Sequence, residues 1–149
     1  VQTNLANSYH RLGQLDRALQ LEGDVYHGSL RLLGEEDGDT LASANNYADS
    51  LIQLQRYKTV MSLLRKTLPI ARRVLGENDN LTLMMRCIYA SALYRAENAT
   101  LDDVREAVTT LEEVERTARR VLGGGHPTTE GIEASLRPAR DALHNREPK

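Results

Sequence analysis

Few residues in this chain could do chemistry, and their spacing assembles none of the usual catalytic or metal-binding sets. The four histidines, His10, His27, His126 and His144, include no pair at metal-ligand spacing, and no HExxH is present. Cys87 is the one cysteine, so an intramolecular disulfide and a multi-cysteine zinc site are both excluded. Its neighbours provide no context for a nucleophile, and it reads as a small, buried or half-buried residue. Gly123-Gly124-Gly125 lacks the lysine that follows a phosphate loop and reads as a turn. Glu112, Glu113 and Glu115 read as a solvated helix face rather than a general acid–base pair. Asn80-Leu81-Thr82 and Asn98-Ala99-Thr100 fit the glycosylation pattern, but without a secretory signal they are expected to be coincidental. The chain is therefore expected to be no enzyme, and to need no metal and no cofactor.

Composition narrows the class further. The chain has 149 residues, 27% charged, with a net charge of −2. That suits neither a disordered polyelectrolyte nor a generic nucleic-acid binder, which would be basic. No apolar run approaches the length of a membrane span. There are 23 Leu and 15 Ala against 4 Ile and 8 Val, and no Phe or Trp. This balance favours helices over a sheet core. The expected setting is cytoplasmic. The missing initiator Met at Val1 suggests a piece of a longer array.

An internal repeat organises the chain. Leu33–Leu41 reads LGEEDGDTL, Leu75–Leu83 reads LGENDNLTL, and Leu122–Glu130 reads LGGGHPTTE. The marks stand 42 and then 47 residues apart. The five extra residues fall near Ala96–Ala99, in either the loop or the helix before it. Each unit carries two apolar stripes of helical period. In the second unit Leu41, Ala44, Ala48, Leu51 and Leu54 form one. After a turn at Gln55-Arg56, Tyr57, Val60, Met61, Leu64, Leu68, Ala71 and Leu75 form the other. The first unit repeats this with Leu5, Tyr9 and Leu12, then Leu15, Ala18, Leu19, Val25 and Tyr26. Neither helix of a pair can bury its stripe alone, so units must stack.

The predicted architecture is all-α. It is an α-solenoid of about three helix-turn-helix units, at about 1–34, 35–76 and 77–123, closed by a terminal helix at about 127–145. Six repeat helices and one terminal helix are expected, all within a single array over 1–149. Gly34, Gly76 and Gly123 suit left-handed positions after helix ends. Asp39 and Asn80 are predicted N-caps, and Thr100 to Asp103 has capping-box spacing. Pro69 is predicted to kink its helix and Pro138 to interrupt the last one. Pro127 suits a first turn.

These motifs carry a resemblance. Asn45-Asn46-Tyr47-Ala48, Tyr57, Leu75-Gly76-Glu77-Asn78-Asp79 and His126-Pro127 resemble the 42-residue tetratricopeptide (TPR) units of kinesin light chains. Their signature is N-N-L-A…G-x-Y…A…L-G-x-x-H-P-x-T. The resemblance implies a protein-interaction scaffold or adaptor, in which the first helices of successive units line a concave groove for a partner segment. Carried over unit by unit, it places Asn4, Asn7 and Arg11, then Asn45, Asn46, Asp49 and Gln53, then Met84, Cys87, Ser91 and Arg95, in that groove. Asn46 and Asn4 fall where that family binds a peptide backbone. An amide suits this role because it both donates and accepts. Arg11 and Arg95 could anchor an acidic partner. The carboxylate clamp of chaperone-binding TPR domains is missing, since Thr3, Met84 and Ile88 stand at its basic positions. Expected partners are a protein or peptide, not nucleic acid and not a membrane, and a homo-oligomer is compatible with the pattern. The alternative is a structural module, a fixed subunit or self-associating array with no free peptide site.

Overall fold

Three glycines set where the chain turns between units. In the computed structural model, Gly34, Gly76 and Gly123 take φ of +89°, +100° and +95°, a region that costs a Cβ-bearing residue dearly. The Gly76 and Gly123 N–H groups reach back to the carbonyls of Ala71 and Ala118, at 3.2 Å each, and close the last helical turn. Three residues beyond each glycine stands a helix cap. Asp37, Asp79 and His126 are extended, and their side chains accept from the N–H of Asp39, Leu81 and Thr128. The caps are thus Asp37 and Asp79 rather than Asp39 and Asn80. A cap must remain extended while its carbonyl accepts the first helical bond. Asp39 and Asn80 are already inside the helix.

The structure describes the backbone of residues 2–148 and the side chains of residues 11–148. Six helices follow in order: α1 (Gln2–Leu33), α2 (Gly38–Gln53), α3 (Tyr57–Val74), α4 (Asn80–Arg95), α5 (Leu101–Val121) and α6 (Pro127–Arg146). Consecutive helices pack on one another. In addition α2 packs on α4 and α4 on α6, whereas among the described residues the backbones of α1, α3 and α5 do not pack directly on one another. The result is an α-solenoid with an inner row α2–α4–α6 and an outer row α1–α3–α5. Leu41, Ala44, Ala48 and Leu51 of α2 and Val60, Leu64, Leu68 and Ala71 of α3 are buried in one cluster. The threonines that end the repeated motif, Thr40, Thr82 and Thr129, are at most 1% exposed.

The first unit departs from the expected plan. Where two helices were predicted, α1 runs unbroken for 32 residues. Gly13 stands 42 residues before Gln55, which takes φ +60° in the α2–α3 turn, so a turn was accessible. The packing stripe explains why it is not used. Val60, Leu64, Leu68 and Ala71 of α3 correspond to Ala18, Glu22, Tyr26 and Ser29 of α1. Leu64 is fully buried, so folding residues 2–12 back would bury Glu22 in its place. An unpaired buried carboxylate costs more than that short helix can return. In the straight helix Glu22 is only half-buried.

The remaining expectations concern the second half. Two of the five inserted residues lengthen the α4–α5 loop and three lengthen α5. The capping box forms: Thr100 N–H donates to Asp103 Oδ2 at 2.9 Å, and Asp103 N–H to Thr100 Oγ1 at 3.1 Å. Pro127 sits in the first turn of α6. Pro138 does not interrupt α6, and α3 continues through Pro69. Both prolines are exposed, so the carbonyl each frees can turn to water instead of being buried unpaired. Gly76→Val is expected to destabilise the chain by about 1 kcal/mol or more, read as a lowered midpoint in thermal or denaturant unfolding.

Candidate partner-binding groove

The inner row presents side chains to one open concavity. Asp49 and Ile52 from α2, Met84, Cys87, Ile88, Ser91 and Arg95 from α4, and Pro127, Thr128, Gly131, Ile132 and Ser135 from α6 line a cavity of about 370 Å³. The helical period explains the selection. Residues 84, 87, 88, 91 and 95 lie on one face of α4, and 42 residues earlier stand Ala42, Asn45, Asn46, Asp49 and Gln53 of α2. The floor is apolar, from Ile52, Met84, Ile88 and Ile132. A second cavity of about 560 Å³ adjoins it, lined by Arg11, Leu12, Leu15, Ile52, Gln53, Gln55 and Arg95. Ile52 and Arg95 belong to both.

The charged rim has a defined arrangement. The Arg95 guanidinium carbon stands 5.4 Å from the centre of the Tyr57 ring, a cation–π contact that restrains the side chain. Among the described residues neither Arg95 nor Arg11 has an acidic partner. Asp49 is engaged along its own helix, accepting from Gln53 Nε2 at 2.9 Å.

The structure thus brings Arg11, Asp49, Gln53 and Arg95 to the two adjoining cavities. Asn46 is exposed on α2 but lines neither. Asn45 is buried, 3% exposed, and its Oδ1 has no hydrogen-bond partner among the described residues. The side chains of Asn4 and Asn7 lie outside the described residues. Sequence reasoning treated α6 only as a cap and so missed its contribution of Pro127, Thr128, Gly131, Ile132 and Ser135. The signal was present: the third L-G…T mark places the start of α6 in register with the starts of α2 and α4.

Cys87 lines the cavity without being activated. Burial pushes its thiol pKa up, and hydrogen bonds to Ser135 and Ser91 only partly oppose this. A thiol held protonated is a poor nucleophile. Behind the groove, Arg86 of α4 is 9% exposed and donates to Glu113 Oε2 of α5 at 3.2 Å. Glu113 is therefore part of the α4–α5 interface rather than an idle residue on the outer face.

The tetratricopeptide repeat family model matches residues 1–39 and 40–80, and the chain belongs to the tetratricopeptide repeat family. That family is a non-catalytic, protein-binding fold. No curated protein matches the chain. No described helix is long and apolar enough to cross a membrane.

Two outcomes are expected. Glu113→Ala lowers stability by about 1–2 kcal/mol in thermal unfolding, because it leaves the Arg86 charge buried and unpaired. The exposed Arg116→Ala leaves stability unchanged within about 0.5 kcal/mol. In the folded chain at pH 7, Cys87 reacts with a thiol reagent at least about tenfold more slowly than in denaturant. Rate constants measured in both conditions check this.

Proposed function

We propose that this chain is a scaffold or adaptor that binds an extended or helical segment of a partner protein along the α2–α4–α6 row. The observation that carries the reading is the continuous apolar floor across three successive inner helices, rimmed by two guanidiniums without acidic partners among the described residues. Ile52, Met84, Ile88 and Ile132 take apolar side chains of the partner. Asn46 holds its backbone, as in the kinesin-light-chain type of TPR array. Gln53 and Asp49 border the same path, and Arg11 and Arg95 anchor acidic residues. Asn4 and Asn7 continue the row in sequence register. The array over 1–149 acts as one binding unit, with units at about 1–34, 35–76 and 77–123. The partner is a protein or peptide rather than nucleic acid, in keeping with the net charge of −2, and the setting is cytoplasmic. The role of α6 supports this reading over a structural module: α6 walls the cavity and leaves it open, instead of filling it.

The test uses a partner captured by the immobilised chain. An amide that bonds a ligand N–H and C=O together leaves both unsatisfied when removed, at about 1–3 kcal/mol. Asn46→Ala is therefore expected to weaken binding roughly 5- to 100-fold in calorimetry, with an unchanged melting temperature. Arg116→Ala, on α5, is expected to leave affinity unchanged. Unchanged affinity in folded Asn46→Ala removes Asn46 from the site. An equal loss of affinity and melting temperature makes it an interhelical strut.

A further inference from the structure

Between the outer helices α1 and α3, over α2, a cleft holds a cavity of about 310 Å³. Tyr26, His27 and Tyr47 line it, with ring centres 5.2 to 6.1 Å apart. Glu35 and Lys66 line it too, and neither has an ion-pair partner among the described residues. The next cleft, between α3, α4 and α5, shows why. There Glu77 and Glu113 stand at the equivalent positions, and each has an arginine, Arg72 at 3.4 Å and Arg86 at 3.2 Å. Both arginines line that second cleft. In the first cleft their positions are held by Leu30 and Ala44. Glu35 thus lacks the cation its counterpart has, and Lys66 has replaced a carboxylate whose own partner is gone. Glu36, the next residue, is already held by Arg73 at 2.8 Å. Burial, and then the Glu35 charge, push the Tyr26 phenol pKa up, so the carboxylate acts on the ring cluster. The second cleft is lined by α3, α4 and α5 alone although α2 precedes them. The first cleft is likewise formed by α1, α2 and α3 and needs no wall ahead of α1.

We infer that this cleft binds the C-terminal arginine of a partner chain. Glu35 takes the guanidinium, as Glu77 takes Arg72 in the next unit, and the tyrosine rings take its flat face. Lys66 takes the terminal carboxylate. A single residue brings both charges, which suits a cavity at the small end of ligand sites, about 300 to 1,000 Å³. A ligand with only a cation is repelled by Lys66, and one with only an anion by Glu35. An apolar ligand strips water from both charges and pairs neither. The aromatic lining favours a guanidinium over an ammonium, because the planar group stacks and is more weakly hydrated. The cleft is separate from the α2–α4–α6 groove, and the inference does not rest on what that groove binds.

The test titrates N-acetyl-L-arginine, which has a guanidinium and a carboxylate but no ammonium, into the 149-residue chain. The ring signals of Tyr26 and Tyr47 are followed by NMR, with the folding of each variant checked by circular dichroism. Saturable binding is expected with Kd about 1 mM, the range open to so small a ligand. N-acetyl-L-argininamide lacks the carboxylate and N-acetyl-L-citrulline the positive charge. Each is expected to bind about threefold or more weaker, the scale of one partly exposed ion pair. Lys66→Met is expected to erase the preference for acid over amide, and Glu35→Gln that for arginine over citrulline. Leu30→Arg supplies within the chain the arginine that the second unit has, and is expected to abolish binding. No saturation at roughly ten times that concentration overturns the inference. Equal affinity for acid and amide also overturns it, and points to an arginine inside a segment. So do preferences that survive Lys66→Met and Glu35→Gln.

Discussion

Every unit of this solenoid has to reverse the chain without stranding buried backbone groups, and the rest of the structure depends on how that is done. A helix end leaves orphan carbonyls, and the next helix start leaves orphan N–H groups. At each junction a left-handed glycine returns its N–H to the finished helix, and three residues later an Asp or His side chain accepts from the new one. Because the junction has constant length, Thr40, Thr82 and Thr129 arrive at equivalent buried positions. The inner helices consequently start in register. That register aligns one face of α2, α4 and α6 and makes the groove continuous.

The helices α6 and α1 solve different problems. At α6 the stripe that would bury a further helix is occupied by Glu133, Arg137 and Arg140. Glu133 pairs with Arg119, and Arg140 with Glu112 at 3.5 Å. Such a face is stable in water. At α1 the corresponding economy fails twice. Glu22 on the inward stripe makes a hairpin too costly, while Leu21, Val25 and Leu32 leave the outward stripe apolar. The same helix therefore runs straight and keeps an apolar outward stripe.

Under the proposed reading the groove is a binding surface, and it differs from an active site built of the same residue types. Its cysteine is kept protonated by burial, and its carboxylate is already bonded to an amide on the same helix. What it offers instead is apolar area beside guanidiniums that have no acidic partner among the described residues. Recognition by such a surface comes from desolvation of the floor and from charges that are satisfied only by a ligand.

Periodicity alone made much of this legible. The 42-residue spacing and the paired stripes specify a helical array, because each stripe demands a partner and only stacking supplies one. Gly76, Gly123 and the Thr100–Asp103 box were readable because they act on residues within a few positions of themselves. The resemblance to tetratricopeptide units, carried along that register, pointed to Asp49, Gln53 and Arg95. What local sequence could not reveal depended on contacts between elements. A glycine at residue 13 permits a turn, but the burial that Glu22 would suffer is set by packing between helices. Asn45 and Asn46 are chemically identical neighbours. Only the neighbouring helices decide that one is buried and the other exposed, since a 100° step on the same helix separates interface from solvent. The part of α6 as a groove wall likewise follows from its packing on α4, which no single helix encodes.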